Sequence, residues 1–260
     1  MGTVGKALEL LDYFSRARPQ IGLSDFARLS GLNKATCHRL LTELQEFGFV
    51  EQAGLAREYR LGPAMLRLAA LREAHVPMQE AAQPVLRRLA LATGETAHLS
   101  VIVGEKLALI GFAYAAAHGT KVTMEDTEIL PFHATSSGLA LMAFAAPALC
   151  ERVLAQRLEA YTPQTETDPA RLRAKLDQTR AIGMAECTSA FEADVHSFAV
   201  PLFDATNNCT GALAVAAPDA RVTTALAALI RTELGRAGAD ITALWGGSLP
   251  PELVTRWQNR

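Results

Sequence analysis

Between Ser24 and Leu61 the hydrophobic period of the chain switches from helical to alternating, and this switch limits the folds open to it. A short apolar-periodic segment at 25–29, which Ser24 can cap, ends at Gly31. Asn33 then caps a longer helix that runs to about Phe47, with Gly48 as its terminator. Within it Cys37, Leu40, Leu41 and Leu44 fall on one stripe, so that face is buried. The exposed N-terminal half is short, polar and basic, with Lys34, Thr36, His38 and Arg39 around a small Ala35. Phe49-Val50-Glu51 next alternates as a strand does, Gly54 marks a turn, and Glu58-Tyr59-Arg60-Leu61 alternates back. Ahead of all this, Val4, Ala7, Leu8, Leu11 and Phe14 recur at helical spacing in a helix that Arg18-Pro19 is expected to close.

Helix, short helix, glycine turn and polar-faced helix is the order of a helix-turn-helix. A short three-helix bundle with a solvated face fits the helices equally well, and the hairpin that follows tips the reading toward a winged helix. A helix entering the major groove needs small side chains for close approach and donors for base edges and phosphates, which the exposed half of the third helix supplies. Arg57 and Arg60 sit where a wing would touch phosphate or minor groove, although an ordinary solvated hairpin also accommodates them. The charge balance agrees with a nucleic-acid-binding head. The first 70 residues carry nine Lys and Arg against seven acids, whereas the whole chain has a net charge of −2.

A chain of 260 residues, half of them apolar, can build two cores. Gly62-Pro63 opens a helix at 64–74 that His75-Val76-Pro77 breaks, and Pro84 suggests a further break or restart before a helical run at 85–92. Strands are expected at 97–103, 107–114, 121–124, 129–132, 184–188, 197–203 and 210–217, with helices at 136–145, 148–158, 169–182 and 223–244. Strand pairs interrupted by helices indicate an α+β domain. The organisation read from these signals is a winged helix-turn-helix at 1–62, a linker helix at 63–77, a second domain at 78–246 and a tail at 247–260 that frays after Trp245. No early stretch joins a basic start to a continuous apolar run. The most apolar stretch, 139–149, is far shorter than the ~20 residues a membrane helix needs, so it reads as a short core helix. Cys37, Cys150, Cys187 and Cys209 are scattered without zinc spacing, as reduced thiols of a cytoplasmic protein would be.

Thr135-Ser136-Ser137 opens a helix after an apolar strand, which leaves backbone N–H groups and the helix dipole pointing outward. Small side chains there let an anion sit on the backbone, and a carboxylate is the natural guest. A capped helix with nothing bound is the plain alternative.

Several segments together resemble the IclR-type transcriptional regulators. They are Gly5-Lys6-Ala7-Leu8-Glu9-Leu10-Leu11, Leu32-Asn33-Lys34-Ala35-Thr36-Cys37-His38-Arg39-Leu40-Leu41 and Tyr59-Arg60-Leu61-Gly62, then Phe132-His133-Ala134-Thr135-Ser136-Ser137-Gly138-Leu139-Ala140 and His196-Ser197-Phe198-Ala199-Val200-Pro201-Leu202-Phe203-Asp204. The resemblance spans roughly Val4 to Leu244. It implies a winged helix-turn-helix followed by a GAF-like sensor domain, a double-stranded DNA operator, a small organic-acid effector, and pairing as a homodimer or dimer of dimers. For the effector it implies backbone contacts at Ser136 and Ser137, apolar walls at Val122, Leu130 and Val195, and a polar group at Ser197. The chain departs from the family pattern at Cys187, where some members carry an acid, at Ala214 and Ala216, where some carry serine, at Asp194 in place of glycine, and at Leu139 in place of lysine. These departures lead us to expect a less polar, roomier pocket that takes a larger acid.

Two rival readings use the same residues. His133, Ser136, Asp194, His196 and Cys187 could be assembled into a nucleophile and base, yet no G-x-S-x-G or P-loop accompanies them, so no catalysis and no cofactor are expected. His118, His133 and Cys187 could hold a metal, although their spacing matches no metal motif. A third possibility is a DNA-binding regulator whose second domain only oligomerises.

Overall fold

The computed structural model describes residues 2–15, 18–53, 57–75, 77–125 and 129–258. Contacts divide the chain into two compact units, Met1–Pro77 and Met78–Arg260. The first unit holds α1 (Thr3–Asp12), α2 (Leu23–Ser30), α3 (Lys34–Glu46), the antiparallel hairpin β1 (Val50–Ala53) and β2 (Glu58–Leu61), and α4 (Pro63–His75). Its core gathers Leu10, Ile21, Phe26, Cys37, Leu40, Leu41, Val50 and Tyr59. Phe14 and Tyr59 both meet the Phe26 ring edge-on. Ile21 and Tyr59 exchange two backbone hydrogen bonds of 2.9 Å, which tie the hairpin to the segment entering α2. That tie moves the start of α2: Gly22, in extended conformation, is its cap, and Ser24 lies inside the helix rather than capping it. Likewise α1 ends at Asp12, ahead of Arg18-Pro19, with Leu10 as its fully buried residue. Val4 and Leu8 of α1 are left exposed, as are Leu66 and Leu68 of α4.

The second unit is a six-stranded antiparallel sheet of order β5-β4-β3-β8-β7-β6, from β3 (Thr96–Val103), β4 (Lys106–Ala113), β5 (Ile129–Leu130), β6 (Ala185–Thr188), β7 (Val195–Phe203) and β8 (Cys209–Pro218). The long helices α5 (Met78–Thr93) and α9 (Thr224–Leu244) cover one face. On the other lie α6 (Ser136–Phe144), α7 (Pro147–Leu154) and α8 (Pro169–Ile182). Successive strand residues point to opposite faces, and the sequence uses this to sort them by size. Leu213 and Val215 of β8, with Phe198 and Val200 of β7, pack toward α5 and α9. Ala212 and Ala214 of β8, with Ala199 of β7 and Ala185 of β6, pack toward α6. Because one face is built of methyl groups, α6 rides close to it, and its residues 136–143 are all buried. Among the described residues no helix is long and apolar enough to cross a membrane.

Three expectations need correction here. Pro84 does not interrupt α5, which runs unbroken across it. Pro84 is on the exposed side of that helix, so the hydrogen bond it cannot donate is lost where water can solvate the carbonyl, while Ala82, Val85, Leu86 and Leu89 bury the opposite side. Residues 121–124 form no strand. Their backbone is held by side chains instead, Thr96 Oγ1 donating to the Val122 carbonyl at 2.7 Å and the Met124 N–H donating to Tyr114 Oη at 2.9 Å. The tail does not fray after Trp245 but forms α10 (Pro251–Gln258), which returns to α8. Leu253 is 1% exposed, and Trp257 Nε1 donates to the Gly183 carbonyl at 3.0 Å, satisfying a group at the end of α8.

This docking gives the tail a share of the stability. Leu253→Ala is expected to destabilise the second unit by about 2–4 kcal/mol, the usual range for a buried leucine. Chemical denaturation of the variant checks it, and a loss below about 0.5 kcal/mol, the range of a surface substitution, means the helix contributes nothing.

Candidate functional site

The first candidate surface is α3. Asn33 Oδ1 accepts from the Thr36 N–H at 2.8 Å, the cap read from the sequence. Cys37, Leu40 and Leu41 sink into the core, which fixes the rotation of the helix so that Lys34, Ala35, His38 and Arg39 stand exposed and Thr36 half-buried. The hairpin is then locked onto the end of α3. A Cβ added to Gly62 would lie 2.2 Å from the Gly48 carbonyl oxygen, so only glycine lets the strand leave the hairpin at that point. Arg57 is exposed and holds a left-handed φ of 52°. Arg60 is exposed as well, but its guanidinium is bonded to Glu51 across the hairpin at 2.6 Å. Its charge is therefore matched within the wing, whereas no ion pair among the described residues engages Lys34 or Arg39. The Gly54 turn lies outside the described residues.

The second candidate is a cavity between the start of α6 and the small-residue face of the sheet. Val122, Leu130, Ser136, Cys187, Val195 and Ser197 all line it. Ser137 does not. It is fully buried behind the wall, with Oγ 3.3 Å from His98 Nε2. Helical geometry explains the difference, since neighbouring residues point about 100° apart on a helix and only one of the two serines can face the sheet's open row. The sequence reading missed His98, Met124, Phe191 and Glu192 of the lining. His98 had a legible signal, a polar residue at the α6-facing phase of a buried strand, as Thr96 and Ser100 also are. Met124, Phe191 and Glu192 come from irregular loops, where side-chain direction follows no period.

Thr135 caps α6, its Oγ1 accepting from the Gly138 N–H at 3.0 Å and donating to the Pro131 carbonyl at 2.9 Å. The N–H groups of Ser136 and Ser137 have no acceptor among the described residues. Gly138 makes the arrangement possible, because a Cβ there would sit 2.1 Å from the Phe132 carbonyl oxygen. Asp194, where relatives are expected to carry glycine, takes φ 61°, so the backbone keeps the left-handed turn through one of the few side chains that tolerate it. Burial pushes the Cys187 thiol up to about 12 and the His98 imidazole down to about 4, so both groups are uncharged near neutrality. The walls are mostly apolar. About 50 Å³ is open to the centres of water-sized molecules, a few waters' worth where one needs roughly 10–15 Å³. Met124, Leu130, Phe191 and His98 are among the larger side chains on its wall.

Of the residues in the rival readings, Ser136 and Cys187 line the cavity, while His133 and His196 do not. His133 Nε2 is 2.8 Å from the Glu159 carbonyl oxygen and its ring packs on Tyr161. Among the described residues no three of His, Cys, Asp and Glu gather as metal ligands. His196, on the opposite face of β7 from Ser197, is held between Glu186 at 2.8 Å and Asp219 at 3.1 Å. Arg231 of α9 donates to the second Glu186 oxygen at 2.7 Å, and the His196 ring stacks on Phe198. The Glu186 hydrogen bond, working against partial burial, raises the pKa of His196.

A capped, exposed recognition-type helix with a locked wing, followed by an α+β domain with a mostly apolar cavity, defines a DNA-binding regulator of two units. Residues 3–54 match the family model described as the IclR helix-turn-helix domain, and residues 70–243 match that described as the bacterial transcriptional regulator IclR C-terminal. The chain belongs to the IclR family of DNA-binding transcriptional regulators. It is 29% identical over 248 residues to the HTH-type transcriptional regulator XynR of Escherichia coli K12, covering 94% of this chain and 97% of that one. A solved structure assigned to the IclR transcriptional regulators from Silicibacter sp. TM1040 matches with 54% identity and a TM-score of 0.91, covering 97% and 99% of the two chains. An IclR homologue from Microbacterium hydrocarbonoxydans, solved in complex with 4-hydroxybenzoate, matches with 26% identity and a TM-score of 0.57, covering 93% and 100%.

The His196 cluster yields a pH dependence of definite sign. A histidine whose pKa is raised on folding contributes stability that is fully present below its unfolded value, about 6.5, and is lost as pH rises through the folded value. Urea unfolding of wild type and His196→Gln across pH 5.5–9 should therefore give the widest gap at the acid end. A gap that stays constant or widens toward alkaline pH refutes the assignment.

Proposed function

We propose that the chain is a cytoplasmic, non-catalytic regulator that binds a double-stranded operator through α3 and the wing and responds to a small carboxylic acid held in the cavity of its second unit. The observation that carries the effector reading is the pair of N–H groups at the start of α6 that have no acceptor among the described residues, beside a mostly apolar cavity. The helix dipole and those donors suit a carboxylate, and Val122, Leu130 and Val195 suit an apolar remainder. The Microbacterium relative's complex with an aromatic acid agrees with this chemistry. Lys34, Ala35, Thr36, His38 and Arg39 are the residues we assign to base edges and phosphates, with Arg57 and Arg60 on the backbone. The exposed Val4 and Leu8 of α1 and Leu66 and Leu68 of α4 are apolar surfaces that pairing of two copies would cover, as a two-fold operator requires.

Arg39→Ala is expected to cost about 1–3 kcal/mol on a specific operator and to relax its sequence preference. Arg60→Ala should do less, because Glu51 already competes for that guanidinium, and what it loses should be shared by all sequences. Gel shifts at several salt concentrations separate the two, and full operator affinity in an Arg39→Ala, Lys34→Ala double variant removes the α3 assignment. For the effector, a thermal-shift screen of carboxylic acids followed by titration on Ser197→Leu and Ala216→Val tests the cavity directly, since both substitutions fill it. Ligand response should disappear while DNA binding persists, with a ligand-dependent change in operator affinity on the order of 1–3 kcal/mol in wild type. Undiminished acid binding in both filled variants places the effector elsewhere. The absence of any acid response leaves a second unit that only oligomerises.

A further inference from the structure

Two loops bring side chains to the wall of the cavity in the second unit. One follows β4 and supplies Val122 and Met124, and the other joins β6 to β7 and supplies Phe191 and Glu192. A single 3₁₀ turn between β8 and α9, Asp219–Arg221, is bonded to both. At its start the Asp219 N–H donates to the Asp194 carbonyl at 2.7 Å, and the Asp219 carboxylate meets His196 at 3.1 Å. At its end the Arg221 guanidinium donates to both Glu95 oxygens, at 2.6 and 3.0 Å, and to the Thr120 carbonyl at 3.0 Å. The Glu95 side chain is 1% exposed, whereas every other ion-paired acid among the described residues is at least 15% exposed. Taking a carboxylate that far from water is costly, and an apolar pair of similar volume often serves stability as well. What the guanidinium fork supplies is position, because it also fixes a backbone carbonyl of the first loop. In the second loop Ser189 and Asp194 both take left-handed backbone, with φ of 50° and 61°. Residues other than glycine persist there where their surroundings hold them, and the bond from Asp219 is one such hold.

We propose that the Asp219–Arg221 turn is a strap that fastens the two loops into one wall of the cavity, with the Arg221 guanidinium and the Asp219 N–H as its positioning groups. The strap acts on the wall itself, whatever guest the cavity takes. Each loop has anchors of its own. Thr96 Oγ1 donates to the Val122 carbonyl in the first, and the Thr162 and Thr165 hydroxyls donate to the Ser189 and Ala190 carbonyls in the second. Among the described residues no hydrogen bond joins the loops directly, so a shift of one reaches the other through the turn. The turn leads into α9, whose buried Ile230, Leu234 and Ile241 belong to the core, so the strap is anchored on packed structure and not on a further loop. Cys187 lines the same cavity and is 7% exposed, while Cys150 and Cys209, at 6% and 5%, are as buried but do not line it. Loosening the wall therefore opens one of these three thiols and leaves the other two covered.

Labelling of the full-length protein with N-ethylmaleimide, mapped by mass spectrometry, tests this. Arg221→Lys keeps a charge for Glu95 but loses the fork that spans Glu95 and Thr120. Asp219→Pro removes the donor to Asp194, at the first residue of a helical turn and after a residue already extended, where proline fits. Asp219→Ala loses the same carboxylate and keeps the N–H. In Arg221→Lys and in Asp219→Pro, Cys187 should label about tenfold faster than in wild type, with Cys150 and Cys209 at their wild-type rates, as a local opening requires. Asp219→Ala should label as wild type does. Hydrogen exchange should quicken at the Met124 and Asp194 amides together, whichever of the two bonds is cut. If Arg221→Lys does not fold, Asp219→Pro decides alone. Unchanged Cys187 labelling, faster exchange confined to the loop whose own bond was cut, or equal acceleration of all three thiols overturns the strap. Acceleration in Asp219→Ala equal to that in Asp219→Pro overturns the role given to the N–H.

Discussion

The second unit depends on how closely α6 approaches the sheet. Gly138 lies against the Phe132 backbone with no room for a side chain, and the strand residues beneath the helix are Ala185, Ala199, Ala212 and Ala214. If either partner were larger, the helix would lift away from the small-residue face that it now rides on. Close packing explains why the constraint is strict, since a well-packed interior absorbs an extra methyl group only by shifting neighbours, at a cost of about 1–3 kcal/mol. The large side chains that a core of this size needs are displaced to the other face, where Leu213, Val215, Phe198 and Val200 meet α5 and α9.

The first unit solves a different problem, that of holding a polar helix face outward without leaving it adjustable. Cys37, Leu40 and Leu41 set the rotation of α3, and the contact of Gly62 with the Gly48 carbonyl sets where the hairpin leaves it. The double hydrogen bond between Ile21 and Tyr59 ties the hairpin to the entrance of α2. The wing is thus fixed at two places before any ligand is present, and ordering entropy that a loose hairpin would lose on binding is already spent in folding. The Glu51–Arg60 pair works in the same direction by giving the wing arginine a defined position.

Much of this was legible because one-dimensional periods map directly onto faces. The stripe of α3, the Asn33 cap and the alternation of the hairpin all follow from a 3.6 or a 2.0 period, whereas Val122, Leu130, Ser136, Cys187, Val195 and Ser197, which share one cavity wall, were singled out through the family resemblance. Ser137 escaped because the resemblance supplies adjacent residues, whereas the helix turns one of them into the core. Pro84 and α10 escaped for a tertiary reason: burial of Ala82, Val85 and Leu86 overrides a missing donor, and three apolar residues, Leu253, Val254 and Trp257, are too few to signal a helix until α8 is present to receive Leu253 and Trp257. Met124 and Phe191 escaped because they reach the cavity wall from loops that carry no period.

The sorting of small and large side chains between the two faces of one sheet has an evolutionary consequence. On the α5–α9 face a change of side chain alters stability alone, and drift there is limited only by the fit of the core. On the α6 face each added or deleted methyl group at a position such as Ala216 alters the shape offered to a guest, while the donors at the helix start are backbone atoms that substitution leaves in place. On the proposed reading, a lineage with this architecture explores new signals by single-carbon steps without rebuilding the anchor, and duplicated copies would diverge in what they sense long before they diverge in fold.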